Sequence, residues 1–274
     1  MAVFATGVLA AAEPGRLSQY ALSDDTISQW QLPRKLREIS GLALSPDGDL
    51  FAVTDEVALV YQLDYERGRL VKTFAFGDPP IQGDFEGIAW QGDRIHLITS
   101  DGMLYSAREM ANGERVIPAR VDTGIGRLCE IEGLAAAPGG EDLYIACKGE
   151  PRGGNRDYVQ IVVWSPASGA RVRDISVPLR AITDRLKVKH FSPSGVTVDP
   201  ATGNLLIVAA RQKSLLELTS DGEIVAARVL PMSDRHRQPE GIELTADGRL
   251  LIVDEGGDRK ARLAAYEPGG RDGK

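Results

Sequence analysis

A fivefold repeat is the feature of this sequence that most constrains its fold. A polar residue, a glycine and a short apolar run recur along the chain, usually at intervals of 46 residues and once at 62. The repeated glycines are Gly41, Gly87, Gly133, Gly195 and Gly241. Repeats of this length are typical of chains in which one supersecondary unit is copied, and each unit packs on its neighbours.

Each repeat reads as four short β-strands. In the first unit a turn at Pro46–Gly48 separates two apolar runs, and further apolar runs follow at 58–63 and 70–74. An Asp-Gly turn between runs rich in β-forming residues is a hairpin signal. Four strands in one repeat of this size predict a β-propeller blade, so the sequence predicts an all-β chain in which residues 13–274 form a single β-propeller domain.

The number of blades depends on the N-terminal region. The last unit ends after 262–266 without a fourth strand, and the segment 26–32 can supply that strand and close a ring of five blades. The alternative is six blades, with 7–32 as a degenerate blade. We prefer five, and we expect the extra residues of the third unit to lie in loops at 149–157 and 180–189.

Composition limits the function classes. The net charge is -7 and the pI is near 5.2, which argues against nucleic-acid binding, because that function usually needs a basic surface. No apolar run reaches the length of about 18 residues that a membrane span needs, so no transmembrane segment is predicted. Residues 1–12 are small and apolar and read as a shortened export signal or an N-terminal strand. We therefore expect periplasmic or other export, with a cytoplasmic location as the alternative.

The repeat gathers acidic residues at one end of the ring. The first two strands of a blade are antiparallel, so the start of the first lies beside the end of the second, and the innermost strands line the channel. Carboxylates occupy most of these positions. The candidate metal ligands are Glu86, Glu132, Glu240, Asp55, Asp101 and Glu255. A set of oxygen ligands favours Ca²⁺ over Zn²⁺. The alternative is a structural ring in which the carboxylates bind backbone groups of the next blade.

Basic residues are predicted at the same mouth. Lys148 and Arg211 fall close to the carboxylates, where they can neutralise them or hold an anionic ligand. His190 and His236 each precede a repeat glycine by five residues, which suggests acid–base chemistry or phosphate contact, or else exposed loop histidines. These four residues are the candidate ligand-binding residues.

The two cysteines fall within one predicted hairpin. Cys129 precedes the first strand of the third unit, and Cys147 ends the second. Facing positions on adjacent strands can bring the two sulfur atoms within bridging distance. A disulfide and two half-buried free thiols are both compatible with this spacing.

Several of these motifs together resemble the SdiA-regulated (YjiK-like) family of bacterial β-propellers, over roughly residues 20–267. The matching segments are Glu38-Ile-Ser-Gly-Leu42, Leu50-Phe-Ala-Val-Thr-Asp-Glu56, Asp84-Phe-Glu-Gly-Ile-Ala89, Ile131-Glu-Gly-Leu-Ala135, Leu143-Tyr-Ile-Ala146, Pro239-Glu-Gly-Ile242 and Leu250-Leu-Ile-Val-Asp-Glu255. The resemblance implies a propeller that is commonly exported or membrane-anchored, and it implies no settled activity.

The Glu-Gly pattern is also similar to that of β-propeller phytases, in which channel carboxylates bind calcium and calcium binds phosphate. That likeness implies calcium ligands at Glu86, Glu132, Glu240 and Asp55. The pattern departs from the phytases where serine replaces glutamate in two units, and where Lys148 and Ala210 replace the acid of the second strand.

The function hypothesis is therefore a calcium-binding propeller that recognises a small anionic ligand. Metal-assisted phosphoester hydrolysis is its enzymatic form. The alternatives are a non-catalytic scaffold that binds a protein partner and a sugar-lactone hydrolase.

Overall fold

The chain folds into a five-bladed β-propeller. The computed structural model describes residues 15–148, 157–232 and 234–269. Its strands form five antiparallel sheets, which we number as blades 1 to 5. The innermost strand of each blade contacts that of the next, and the innermost strand of blade 5 contacts that of blade 1, so the ring is closed.

The strands are numbered in chain order, and each blade is given from its innermost strand outward. Blade 1 contains β2 (Ile39–Leu44), β3 (Leu50–Thr54), β4 (Leu59–Asp64) and β5 (Arg69–Phe76), with the short β9 (Arg115–Val116) added in parallel. Blade 2 contains β6 (Phe85–Gln91), β7 (Arg94–Thr99), β8 (Met103–Ala107) and β10 (Ala119–Asp122). Blade 3 contains β11 (Glu130–Ala136), β12 (Leu143–Lys148), β13 (Tyr158–Ser165) and β14 (Ala170–Pro178).

The remaining blades follow the same order. Blade 4 contains β15 (Gly195–Val198), β16 (Leu205–Ala209), β17 (Ser214–Leu218) and β18 (Ile224–Val229). Blade 5 contains β19 (Pro239–Leu244), β20 (Leu250–Asp254), β21 (Arg262–Tyr266) and β1 (Ile27–Gln31). The helical elements of the described residues are α1 (Leu179–Leu186) and three 3₁₀ turns at Arg16–Gln19, Arg34–Leu36 and Ile125–Arg127.

The N-terminal strand closes the ring. Strand β1 pairs antiparallel with β21, from Ile27 opposite Tyr266 to Gln31 opposite Arg262. The prediction that segment 26–32 supplies the missing outer strand is confirmed, and the six-bladed alternative is wrong.

The repeated glycines allow the innermost strands to approach one another. A Cβ atom on Gly87 would lie 2.8 Å from the backbone nitrogen of Leu134 in the next blade. On Gly133 it would lie 3.1 Å from the backbone nitrogen of Val196. The glycines thus form a narrow waist in the channel, where a cavity of only about 10 Å³ remains.

The apolar core is divided into five clusters, one between each pair of adjacent blades. Alternate side chains of a strand point to opposite faces of its sheet, so each blade contributes to two clusters. Phe51 of blade 1 packs with Leu97 of blade 2, and Ala146 of blade 3 packs with Leu205 of blade 4. The ring is therefore stabilised by apolar contacts between successive blades all the way round.

One predicted loop contains a helix. Helix α1 occupies most of the segment expected as a loop at 180–189. Ile182 and Leu186 lie four residues apart on one side of this helix, and both are buried in the cluster between blades 3 and 4. The other expected loop, 149–157, lies outside the described residues except for Asp157. None of the described helices is long and apolar enough to span a membrane.

Candidate ligand-binding site at the channel mouth

The start of each first strand is bonded to the end of the second, as the repeat predicts. The backbone nitrogen of Asp55 donates to the carbonyl of Glu38 at 3.1 Å, and that of Glu255 donates to the carbonyl of Gln238 at 2.9 Å. In blade 3, Glu130 pairs with Lys148. These positions form one rim of the channel, which we call the acidic mouth.

Asp101 does not lie at the position predicted for it. In blade 2 the residue bonded to the carbonyl of Asp84 is Ser100, at 2.8 Å. The hairpin between β6 and β7 has only two residues in its loop, since Gln91 pairs with Arg94. The position equivalent to Asp55 therefore comes one residue earlier. Asp101 is exposed and accepts a hydrogen bond from the hydroxyl of Thr99.

Three glutamates converge on the channel axis. Burial, together with the nearby charges of Glu132, Asp84 and Glu240, raises the pKa of Glu86 to about 9. Burial, and then Glu132 and Glu255, raise the pKa of Glu240 to about 8. Burial also raises the pKa of Glu132, against the opposing effect of Lys148. Glu86 and Glu240 are therefore largely protonated near neutral pH.

Asp55 and Glu255 are the acidic residues of the acidic mouth on the side of blades 1 and 5. Burial, followed by the charges of Glu38, Glu56 and Glu255, raises the pKa of Asp55 to about 6. Its Oδ1 atom is buried and has no hydrogen-bond partner among the described residues. Burial and Glu38 raise the pKa of Glu255 as well. A buried carboxylate oxygen without a partner is costly, which marks this place as suited to a bound donor or cation.

Lys148 neutralises part of the acidic mouth. Its ammonium group forms ion pairs with Glu132 and with Glu130, the latter at 3.1 Å. Burial disfavours the charge on Lys148, but its bonds to these two carboxylates hold its pKa above the ordinary value. One of the two roles proposed from the sequence, internal neutralisation, is therefore the role that Lys148 has here.

The carboxylates do not surround one point closely enough to share an ion. Within residues 15–148, 157–232 and 234–269, no group of three or more His, Cys, Asp or Glu side chains is arranged to hold a metal. The residues present therefore do not form a ready-made calcium site.

A cavity of about 340 Å³ opens from the acidic mouth between blades 3, 4 and 5. Its walls include Glu132, Lys148, Ser192, Arg211, Arg237 and Glu240. Blade 4 makes the space, because Ser194 and Ala210 are small where the flanking blades 3 and 5 carry the long charged side chains Glu132, Lys148, Glu240 and Glu255. Ser194 also links blades 4 and 5, because its hydroxyl donates a hydrogen bond to the carbonyl of Pro239 in blade 5 at 2.7 Å.

The matches to known proteins agree with this architecture. A family model described as SdiA-regulated matches residues 18–256. The chain belongs to the SdiA-regulated family. No curated protein matches it.

Solved structures share the fold of this SdiA-regulated protein. A glutaminyl cyclase from Myxococcus xanthus is 16% identical with a TM-score of 0.59, over 88% of this chain and 94% of that one. A luciferin-regenerating enzyme is 10% identical with a TM-score of 0.54, over 90% of this chain and 97% of that one. At these identities the likeness concerns the propeller fold alone, so the two enzyme names describe those proteins only.

The two histidines do not join the cavity of this SdiA-regulated protein. His236 is fully buried, and its ring nitrogens are bonded to Asp254 at 2.8 Å and to the hydroxyl of Tyr266 at 2.7 Å. It ties together strands of blade 5 and is not available to a ligand, which corrects the prediction. His190 is exposed after α1 and does not line the cavity.

Arg237, Ser192 and Gln238 are cavity residues that the predicted set omitted. Ser192 and Gln238 stand three residues before a repeat glycine, in the same register as Glu130. The repeat register was therefore a sufficient signal for both. Arg237 stands between His236 and Gln238 in the sequence, and this position beside a residue of the repeat register was its signal.

The structure decides between the two alternatives that the cysteine spacing left open. Cys129 and Cys147 are bonded, with their Cα atoms 5.6 Å apart. Both residues are buried directly beside the Glu130–Lys148 pair. The bridge therefore fixes the blade 3 part of the acidic mouth.

Proposed function

We propose that the SdiA-regulated protein binds a small molecule carrying an anionic group in the cavity at its acidic mouth. The observation that carries this proposal is the pair of arginines, Arg211 and Arg237, on the wall formed by blades 4 and 5. Among the described residues Arg211 has no ion pair, and the carboxylate of Asp234 lies 3.3 Å from Arg237 at the exposed rim. A guanidinium group binds carboxylate and phosphate oxygens in paired hydrogen bonds.

The opposite wall of the cavity, which contains Glu132 and Glu240, determines which polar groups the ligand carries besides its anionic group. Glu132 is held by Lys148, while Glu240 is largely protonated near neutral pH and can donate a hydrogen bond. A ligand with an anionic group at one end and hydroxyl or amide groups at the other satisfies both walls. The cavity volume, about 340 Å³, lies at the small end of the range usual for metabolite sites.

The test is a binding panel of succinate, gluconate, inorganic phosphate and glucose 6-phosphate, measured by calorimetry and thermal shift. We expect at least one anion to bind, and we expect Arg211→Gln and Arg237→Gln each to weaken binding by about tenfold or more, as loss of a charge-assisted hydrogen bond does. Arg67→Gln is the matched control, because Arg67 lies in the β4–β5 turn at the other end of the ring. Absence of binding by all four probes, or binding that survives both cavity variants, would contradict the proposal.

Catalysis at this mouth is tested separately. The phosphoester and sugar-lactone hydrolyses considered from the sequence both need a group that handles protons, and Glu86 and Glu240 are the available groups. A panel of phosphoesters and lactones should be assayed with wild type, Glu86→Gln and Glu240→Gln. Activity lost in these variants belongs to the acidic mouth. If the protein binds an anion but turns over none of these substrates, a non-catalytic role is favoured. If it is a scaffold that binds only a protein partner, we expect neither anion binding nor turnover.

Calcium binding is a second candidate, favoured by the buried, unpartnered Oδ1 of Asp55 and by the crowding of Glu86, Glu132 and Glu240. Binding requires these side chains to turn toward a common ion. Calcium at 100 times its Kd would stabilise the fold by about 2.7 kcal/mol. We expect calcium to raise the melting temperature of metal-stripped protein, and the double variant Glu86→Gln with Glu132→Gln to abolish the rise. If millimolar calcium does not change the melting temperature of metal-stripped wild type, this candidate is ruled out.

We also propose that the protein is exported. The Cys129–Cys147 bridge supports this, because disulfides persist in oxidising compartments. The full chain expressed in a bacterial host should appear in the periplasmic fraction, and a chain lacking residues 2–12 should remain in the cytoplasm. Recovery of the full chain from the cytoplasmic fraction alone would contradict export.

A further inference from the structure

The end of the channel opposite the acidic mouth contains a second cavity, of about 360 Å³. The strands β2, β6, β11, β15 and β19 finish there, so residues at or next to their ends surround it. We call this ring the apolar mouth; its members are Leu44, Trp90, Ala136, Val198 and Leu244. All except Leu244 remain partly exposed. Concave apolar surface left open to water is characteristic of ligand sites.

Glu243 interrupts the apolar wall from within a strand; the other carboxylate among the lining residues, Asp47, lies in an exposed turn. Two residues after each repeat glycine, blades 1 to 3 carry alanine, namely Ala43, Ala89 and Ala135. Blades 4 and 5 carry Thr197 and Glu243 at this position, and both line the cavity. The repeat tolerates alanine here, so the change to a polar pair on two adjacent blades is not required to form a blade.

Glu243 is held in a fixed orientation. Its carboxylate accepts hydrogen bonds from the hydroxyl of Thr197 at 2.5 Å and from the backbone nitrogens of Leu244 at 2.8 Å and Leu44 at 3.1 Å. A carboxylate offers about four acceptor positions, so one remains for a ligand. Burial raises the pKa of Glu243 to about 7, although the residue keeps some exposure where it lines the cavity.

We propose that the apolar mouth binds a small apolar molecule bearing one hydrogen-bond donor, which it gives to Glu243. Trp90 and Leu44 contact the apolar body of the ligand, and the carboxylate fixes its polar end. The glycine waist, where the channel cavity shrinks to about 10 Å³, separates this site from the acidic mouth. The two sites therefore bind independently, and this inference does not rest on the function proposed above.

The test compares 2-naphthol with 2-methoxynaphthalene, which has the same ring system but no donor. Binding is measured by calorimetry and by quenching of tryptophan fluorescence, since Trp90 lies in the wall. At pH 8, where most of Glu243 is ionised because its pKa is about 7, we expect 2-naphthol to bind about tenfold more tightly, as one hydrogen bond to a charged group predicts. Glu243→Ala, which installs the residue of blades 1 to 3, should remove that difference while leaving the binding of 2-methoxynaphthalene.

Ala136→Phe provides a second variant that does not depend on the Glu243 bonds. It should fill the cavity and abolish binding of both probes, whereas Ala119→Phe on the exposed outer strand β10 should bind both normally. The proposal is overturned if neither probe binds wild type, if the two bind equally well, or if Ala136→Phe binds as wild type does.

Discussion

At the scale of single residues, burial at the acidic mouth disfavours the charged form of its glutamate side chains. Glu86, Glu132 and Glu240 occupy equivalent positions on three blades, so the fivefold arrangement forces them toward one axis. Ser40 holds the same position in blade 1, and its hydroxyl donates to the carbonyl of Phe85 at 2.6 Å. Serine at this position links blades, whereas Glu86 and Glu240 lie near other carboxylates and are largely protonated near neutral pH.

Glu86 makes stability depend on pH. It ionises near pH 4.5 in the unfolded chain, whereas its folded pKa is about 9. Between these values the folded state binds more protons, so the free energy of unfolding falls as pH rises. Glu86→Gln should therefore melt above wild type at pH 8 and close to wild type at pH 4.5. Glu141→Gln, on an exposed turn of blade 3, is the control. An equal gain at both pH values would contradict this account.

At the scale of elements, two features hold the innermost hairpins in place: the close approach at the repeat glycines and the bridge in blade 3. Both act on the strands that carry the acidic mouth. Their effects on stability can be measured separately, because the close approach is changed by substituting a glycine and the bridge is removed by reduction.

Gly87→Ala tests the close approach. Its added Cβ would meet the backbone nitrogen of Leu134 at 2.8 Å, so β6 and β11 must move apart. We expect a loss of about 1–3 kcal/mol, the usual cost of overpacking, measured by urea unfolding. Gly92→Ala is the control, since nothing lies within 4 Å of its Cβ, and its positive φ should cost only about 1 kcal/mol. A smaller loss for Gly87→Ala than for the control would refute the packing argument.

The Cys129–Cys147 disulfide should stabilise the protein by constraining its unfolded chain. The two cysteines are 18 residues apart, and closing a loop of that size is worth about 3 kcal/mol. Wild type reduced with dithiothreitol should therefore unfold at lower urea concentration than oxidised wild type. Two reactive thiols per chain in denatured, unreduced protein from an oxidising compartment would show that the bridge is absent.

At the scale of the whole molecule, the N-terminal region closes the ring. Besides the β1–β21 pairing, the backbone nitrogens of Arg16 and Leu17 each donate to the buried carboxylate of Glu217 in blade 4 at 2.9 Å. The start of the described chain is thus fastened to blade 4 before it completes blade 5. Stability of the ring therefore depends on residues far apart in sequence.

Deletion of residues 1–34 should expose the edge of β21, because its partner β1 is removed. An unpaired strand edge promotes association with other chains. We expect this variant to aggregate or to melt well below wild type, and a deletion of residues 1–12 to have a mild effect. Size-exclusion chromatography and thermal melting distinguish the two. A monomeric deletion of 1–34 with wild-type stability would show that β1 is dispensable.

Much of this architecture could be predicted from the sequence, because the repeat imposes it locally. The spacing of the glycines predicted the blades, the incomplete last unit predicted the closing strand, and antiparallel pairing predicted that Glu86, Glu132, Glu240, Asp55 and Glu255 share one rim. Each of these inferences needs only the alternation of a strand and the reversal of a hairpin.

Only the tertiary structure decided which residues are available for binding. The β6–β7 hairpin is one residue shorter than expected, so Ser100 and not Asp101 lies at the acidic mouth. Packing within blade 5 buries His236 against Asp254 and Tyr266. The cavity at the acidic mouth exists because small residues of blade 4 face long ones of blades 3 and 5, and Glu243 is oriented by donors from three blades. Such contacts join distant parts of the chain, so register and burial follow from the packing of whole blades rather than from local sequence.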